Sequence, residues 1–255
     1  MRPAGLTEVF IGIETPNEAS LRETKKRQNL HLDLVAAADR FVESGIAVIG
    51  GMIVGFDADG PDVFQRQYEF AMATTVPVFS LGPLVAPEAT PLYARMAREG
   101  RLVPESANVY GTPWSSNILP HGMTIAQMRD GLRWLSNALY APAAFGERLL
   151  RFIERFGRAR NRPVGTALGL LGMREVDAQA MQVALAIRRL GEAECVMVQR
   201  VWAAASRRTE TAPFVMRMLF QYAQIRLMLT RGRFWEPQLA EAAWQPGPLA
   251  PKLVA

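Results

Sequence analysis

Residues 46–55 read IAVIGGMIVG, an apolar run that contains adjacent glycines and no charged side chain. Unbroken apolar character over this length, with several β-branched residues, is typical of a strand buried on both faces of a parallel sheet. A second run of the same kind, residues 9–13 (VFIGI), ends at Glu14. We therefore expect two neighbouring parallel strands.

Helical patterns separate these runs and lead to a third strand. Apolar residues at helical spacing over residues 33–44 are followed by Gly45, and glycine commonly ends helices. Residues 62–74 form the next helical segment, and residues 76–84 are a further strand candidate, although Pro77 weakens it. The alternation of strand and helix with short connections predicts parallel β/α units.

The second half of the chain reads differently, because helical patterns replace this alternation. Thr124 and Gln127 have the spacing of a capping box, and Pro142 suits the first turn of another helix. The sequence predicts an α/β fold in two parts: a partial β/α barrel of three parallel strands over residues 1–104 and a mainly α-helical module over residues 105–255. Three strands cannot close a barrel, so the first strand should present an unpaired apolar edge.

Composition narrows the class of protein. The one cysteine, Cys195, excludes an internal disulfide and predicts a reducing, cytoplasmic setting. No apolar run reaches the roughly 20 residues of a membrane-spanning helix. The net charge of +5 owes much to arginines between residues 148 and 162, which form either the solvated face of a helix or a face for phosphate. The stretch has no recognisable nucleic-acid motif, so the solvated face is favoured and no nucleic-acid partner is predicted.

Candidate binding residues cluster where the predicted strands end. In a β/α barrel a polar residue such as Glu14 at the carboxyl end of a strand faces the active-site mouth; the alternative is a capping or surface role. Glycines within a strand, here Gly51 and those beside it, indicate close approach of another backbone or a flat ligand. An adenine against Ile53 would fit, and so would a close-packed barrel interior.

An acidic turn follows the second strand. Asp57 and Asp59 either bind a cation or organise the loop through hydrogen bonds to its backbone, and the second interpretation is favoured. His31 and His121 lie far apart without ligand spacing, so no metal site is predicted. Cys195 is expected to be an inert core thiol. No catalytic residue is assigned.

Taken in order, these residues resemble the later half of a radical S-adenosylmethionine (SAM) domain of the cobalamin-binding type. Residues 9–16 resemble its fourth barrel strand, and residues 25–29 the Lys-x-x-Gln-Asn stretch that follows. The pattern Gly51-x-Ile53-x-Gly55 resembles the fifth-strand motif, with Asp59 near the acidic position that closes it. Residues 90–93 and 100–102 resemble the segment after the sixth strand.

The resemblance extends into the helical module. Residues 116–120, the pattern Gly131-x-x-Trp134-Leu135, and Leu139-Tyr140-x-Pro142 with Arg148 are similar to the uncharacterised module that follows the radical core in a subgroup that includes hopanoid C-2 methylases. Each motif is short, but their order and spacing agree over roughly residues 5–160. In one loop Glu88-Ala89 replaces the usual Pro-Gly.

The resemblance implies a cofactor site and a reaction. Glu14 would hold polar groups of SAM, with Asp59 nearby, while Gly51, Ile53 and Gly55 would form the adenine wall. The whole enzyme would act on an unactivated carbon of a small-molecule or lipid-like substrate, with methylation as the outcome. The substrate contacts suggested by the helical module are Tyr93, Asn117 and Tyr140.

The cysteine motif of such enzymes is absent from this sequence, and so is a cobalamin-binding domain. The resemblance therefore implies that the [4Fe-4S] cluster and cobalamin have their ligands outside this chain, which alone should not catalyse the reaction. Met1 would be an internal residue, and the missing N-terminal half could be a separate chain. The alternative is a non-catalytic binding or assembly protein, or an inactive remnant, that associates through its open strand edge.

Overall fold

The computed structural model describes residues 5–23, 29–30, 32–103, 113–159 and 175–246. Its centre is a parallel three-stranded sheet in the order β1-β2-β3. This confirms the predicted α/β class, while closure into a barrel stays a prediction. The strands and their connecting helices are β1 (Glu8–Glu14), α1 (Glu18–Glu23), α2 (Leu34–Glu43), β2 (Ala47–Val54), α3 (Val63–Ala73) and β3 (Val78–Pro83).

Helices follow the sheet, as the sequence predicts. The capping box of Thr124 and Gln127 is formed at the start of α5 (Ile125–Tyr140), and Pro142 opens α6 (Pro142–Phe156). The predicted boundary between residues 104 and 105 lies outside the described residues, so the division into two domains stays a prediction. The later helices are α4 (Pro91–Arg98), α5 (Ile125–Tyr140), α6 (Pro142–Phe156), α7 (Glu175–Ile187), α8 (Glu192–Ser206) and α9 (Ala212–Arg231), with short 3-10 helices at Thr209–Thr211 and Pro237–Glu241.

The two faces of the sheet differ in their exposure. Side chains alternate along a strand, and on one face Met52, Val54 and Phe79 are buried. We call the opposite face of the sheet the open face. It carries Phe10, Ile49, Gly51, Ile53 and Ser80. Phe10 is 64% exposed there, Ser80 is exposed, and Ile49 and Ile53 are half-buried.

Helix α5 lies against the outer edge of β3 and against α3. The Tyr140 hydroxyl donates to the carbonyl of Phe79 at 2.5 Å and accepts from its N–H at 3.0 Å, so it takes the hydrogen bonds that another strand would make there. A Cβ on Gly131 would lie 2.2 Å from the ring of Phe64. Only glycine therefore allows α5 to approach α3 this closely.

Arg148 joins α6 to the same region from inside the protein. It is fully buried, and its guanidinium donates to the carbonyls of Leu139 at 2.7 Å, Pro77 at 3.2 Å and Ala144 at 3.3 Å. Burial lowers its pKa to about 10. The solvated-face interpretation of the arginine stretch is thus wrong for this residue, because the helix periodicity turns it inward onto backbone acceptors.

Two further expectations are corrected. The three prolines between Trp244 and Ala255 predict a frayed C-terminal tail, but the Trp244 indole donates to the carbonyl of Pro61 at 2.6 Å and packs against Phe64 and Trp134. Cys195 is half-buried rather than in the core; its thiol lies 3.6 Å from the Gln199 amide. No helix among the described residues is long and apolar enough to cross a membrane.

Candidate functional site

The candidate site lies at the carboxyl ends of the strands. Glu14 ends β1 with a φ of 67°, and the register between β1 and β2 shifts just before it. The buried amide of Gln67 on α3 donates to the carbonyl of Ile53 at 2.7 Å and lies 3.5 Å from that of Glu14. Gln67 therefore ties together the ends of the first two strands.

Asp59 organises the loops above these strand ends. Its carboxylate accepts from the backbone N–H groups of Gly55 at 3.0 Å and Phe56 at 3.1 Å, from the Ser20 hydroxyl at 2.6 Å and from the Asn17 amide at 3.2 Å. It is 1% exposed, and burial raises its pKa in spite of these hydrogen bonds. The favoured interpretation, loop organisation, fits this geometry.

Asp57 belongs to an ion cluster at the outer side of the same loop. Its carboxylate contacts Arg95 at 2.7 Å and Arg101 at 2.6 Å, and its N–H donates to Glu23 at 2.8 Å. Burial raises the pKa of Asp57, but the hydrogen bonds and charges of Arg101 and Arg95 outweigh it, so the pKa is lowered. These contacts fasten α4 to the ends of α1 and β2.

The glycines of β2 have separate environments. A Cβ on Gly50 would lie 2.6 Å from the buried Phe79 ring, whereas one on Gly51 would meet the ring of exposed Phe10 at 2.8 Å. Gly50 thus serves close packing on the buried face, and Gly51 lets the Phe10 ring lie close over β2 on the open face. Gly55 follows the strand with a φ of 98°, a conformation that favours glycine.

The three predicted substrate contacts fall in two regions: Tyr140 lies against β3, whereas Asn117 bonds to Ala86 in a small apolar cluster against which Tyr93 packs. Tyr140 is buried with its hydroxyl on Phe79, and the Asn117 amide pairs with the N–H and carbonyl of Ala86 at 2.9 and 2.7 Å. These bonds give both side chains structural roles that need no substrate. Tyr93 is half-buried on α4, and its substrate role stays a prediction.

The described residues do not fit an iron–sulfur cluster. The chain has one cysteine, and no group of three or more His, Cys, Asp or Glu in the described part could hold a metal ion. The Lys25-x-x-Gln28 portion of the family pattern lies outside the described residues; Asn29 lies 3.5 Å from the carbonyl of Ile13.

The remaining described arginines of the stretch are paired within the protein. Arg155 contacts Asp39 and lies 3.6 Å from Glu43, and Arg158 pairs with Glu154 at 2.6 Å. Arg151 donates to the carbonyl of Met72. These partners account for the arginines without a phosphate.

Comparison with known protein families assigns this chain to one of them. Residues 90–247, more than half of the sequence, match a domain of unknown function, DUF4070. The chain belongs to the DUF4070 family. This domain is found in the C-terminal regions of cobalamin-binding radical SAM proteins, which confirms the resemblance seen in the sequence.

Two curated relatives support the DUF4070 assignment. The hopanoid C-2 methylase of Rhodopseudomonas palustris (strain TIE-1) is 31% identical over 130 residues, which are 51% of this chain and 24% of the relative. An uncharacterized methyltransferase of Synechocystis sp. is 37% identical over 112 residues, 44% of this chain and 21% of the relative. The matches span about a quarter of these relatives' length. No solved structure matches.

Gln67 and Arg95 were not singled out from the sequence. Gln67 stands on α3 between Phe64 and Phe70, so it shares their buried stripe, and a lone amide on an apolar stripe is a signal that could have been read. Arg95 carried no comparable signal, because its partners Glu23 and Asp57 lie far away in the chain.

Proposed function

We propose that this chain is the SAM-binding and substrate-binding later portion of a cobalamin-dependent radical SAM enzyme that methylates an unactivated carbon. The observation that carries the proposal is the open face, which is exposed at Phe10 and Ser80 beside parallel strands in a member of the DUF4070 family. The methyltransferase names of both relatives support a methylation.

The residues present fit SAM better than they fit a metal. We assign the adenine wall to Gly51, Ile53 and Gly55 and a polar contact of SAM to Glu14. A side chain at Gly51 would collide with the Phe10 ring, since an added Cβ would lie 2.8 Å from it, and would change the surface of the open face. Bound there, SAM would supply a 5′-deoxyadenosyl group for hydrogen abstraction after reduction at a cluster held elsewhere.

In this proposal the chain's own residues bind SAM and the substrate and position them for the reaction. Asp59 sets the course of the loop after β2, so that Gly55 keeps its place beside the adenine. Gln67 fixes the carbonyls at the ends of β1 and β2, which holds Glu14 at its turn. The helical module would shape the substrate site, with Tyr93, Asn117 and Tyr140 as its proposed contacts; Tyr140 lines a cleft beside β3.

The cluster, the cobalamin and the remaining strands belong, in this proposal, to a preceding part of the enzyme, in the same or in a separate chain. Such a part would complete the barrel along β1. A reducing, cytoplasmic setting would keep the cluster intact. The hopanoid named for one relative suggests a small-molecule or lipid-like substrate.

Sequencing upstream of the Met1 codon and producing the encoded proteins tests the proposal. We expect a Cys-x-x-x-Cys-x-x-Cys motif, in frame or in an adjacent gene, and reductive cleavage of SAM to 5′-deoxyadenosine by the whole assembly after cluster reconstitution. This chain alone should form none. Release of 5′-deoxyadenosine by the chain alone would contradict the division of labour, and an assembly that binds no SAM would contradict the proposal.

A non-catalytic assembly protein is the second candidate, because β1 is an edge strand of the sheet and its residue Phe10 is 64% exposed. Such an edge pairs readily with another strand. Equilibrium sedimentation of the chain with and without SAM separates the two. Stable self-association without SAM binding would favour the assembly protein.

A further inference from the structure

A cleft of about 280 Å³ separates β3 from α9. We infer that this β3–α9 cleft binds the uncharged, largely hydrocarbon part of the substrate, an inference that rests on the proposed function. Its walls come from β2, β3, α5, α9 and the segment before α5, and include Ile49, Ser80, Trp114, Gln221, Ile225 and Met228.

The cleft opens beside the proposed adenine wall. Ser80 lies opposite Gly51 in the β2–β3 register, and neighbouring strands are about 4.8 Å apart. Ile49 precedes Gly51 by two residues, so both lie on the open face. A substrate held here would therefore adjoin the SAM site, as hydrogen abstraction requires, since reacting atoms must come within about 3.5 Å of each other.

The chemistry of the walls selects a neutral ligand. The lining described for the cleft contains no Asp, Glu, Lys, Arg or His, so nothing there compensates the desolvation of a charged group. Trp114 and Met228 offer broad apolar surfaces, and methionine adapts to irregular shapes. The hydrocarbon part of a substrate would be complementary to these apolar walls.

The polar groups at the cleft are few and uncharged. Gln221 on α9 is one of them. Ser80 and Gln224 add neutral polar groups at the cleft, so a single hydroxyl on an otherwise apolar ligand would be accommodated.

A second apolar cavity supplies an internal control. It measures about 360 Å³, is lined by residues of α7, α8 and α9 such as Met181, Leu185 and Trp202, and includes the charged residue Arg188. None of its lining residues belongs to the sheet. If apolar ligands bind to any apolar cavity without selectivity, they should bind to both cavities equally.

Photolabelling of the full chain with benzophenone, a neutral aromatic ketone, tests the inference. Irradiation inserts it into nearby C–H bonds without loss of atoms, and peptide mass spectrometry locates the adduct. We expect label on Met228 and neighbouring residues of the cleft, and about tenfold less with the anion 4-benzoylbenzoate, because a charge loses its hydration there.

Substitutions that fill the cleft provide the decisive comparison. Ser80→Trp on β3 and, independently, Gln224→Trp on α9 should each lower labelling of α9 about tenfold, whereas Ala203→Trp in the second cavity should leave it unchanged. Label concentrated on Met181 and Trp202, or equal labelling by the anion, would overturn the inference. Calorimetry with S-adenosylhomocysteine on the same preparations tests the proposed function separately. If the wild type binds S-adenosylhomocysteine but benzophenone does not label the cleft, the inference about the cleft is wrong and the proposed function stands.

Discussion

The Tyr140 hydroxyl both donates to the carbonyl of Phe79 and accepts from its N–H, so one side chain occupies the outer edge of β3 at that residue. Tyr140→Phe would leave both backbone groups buried without partners. We expect the free energy of unfolding to fall by about 1–3 kcal/mol, measured by urea denaturation. Tyr93→Phe, on a half-buried side chain, is the matched control and should change it by less than about 0.5 kcal/mol.

The same tyrosine should make stability depend on alkaline pH. Burial raises the pKa of Tyr140 to about 12 from an ordinary value of 10.0, so in this range the unfolded chain releases the proton first and stability falls as pH rises. Tyr140→Phe should remove up to about 1.4 kcal/mol of loss per pH unit. The lowered pKa of Arg148 acts with the opposite sign and remains in the variant. Equal pH slopes for wild type and variant would contradict the assignment.

Two helical glycines should respond to alanine to different degrees. At Gly131 the added Cβ would lie 2.2 Å from the buried Phe64 ring, and at Gly146 it would lie 2.9 Å from Cγ of Met197. Gly131→Ala should destabilise the protein by about 1–3 kcal/mol through overpacking. Gly146→Ala should cost less, because the clash is smaller, methionine adapts its shape and alanine favours the helix by up to about 1 kcal/mol. Thermal unfolding of both variants checks this; a larger loss for Gly146→Ala would contradict the close packing of α3 and α5.

Asp59 should be far more important than its neighbour Asp62. Asp59→Ala removes the buried acceptor of two backbone N–H groups and of the Ser20 hydroxyl, with an expected cost of about 2–4 kcal/mol. Asp62 pairs with Arg66 at an exposed position, so Asp62→Ala should cost about 0.5 kcal/mol. Urea denaturation of the two variants compares them, and similar losses would argue against the loop-organising role.

The sequence predicted the helices and strands well, because the residues that signal each element lie within a few positions of one another. The apolar run of β2, the capping box at Thr124 and the proline that opens α6 all describe their own neighbourhood. The contacts that fasten the helices to the sheet join distant residues: Arg148 to Pro77, Trp244 to Pro61 and Tyr140 to Phe79. Sequence spacing does not show which arginine of a charged stretch turns inward or which tail residue docks.

The candidate site was predictable to a similar extent. Glu14, Gly51 and Asp59 stood out because each interrupts or ends a pattern, and the strands bring their backbones to one end of the sheet. Gln67 gave a weak local signal, and the ion cluster of Arg95 gave none. The β3–α9 cleft could not be foreseen, since its walls come from four elements spread over the chain.

The most direct test of the SAM-binding face is titration calorimetry of the chain with S-adenosylhomocysteine. We expect binding by the wild type, and an affinity about tenfold lower or worse for Gly51→Val, because its side chain displaces the Phe10 ring and projects from the open face. Ala97→Val, on the exposed side of α4, should bind like the wild type, and thermal unfolding should show all three proteins folded. No binding by the folded wild type, or equal binding by folded Gly51→Val, would contradict the account.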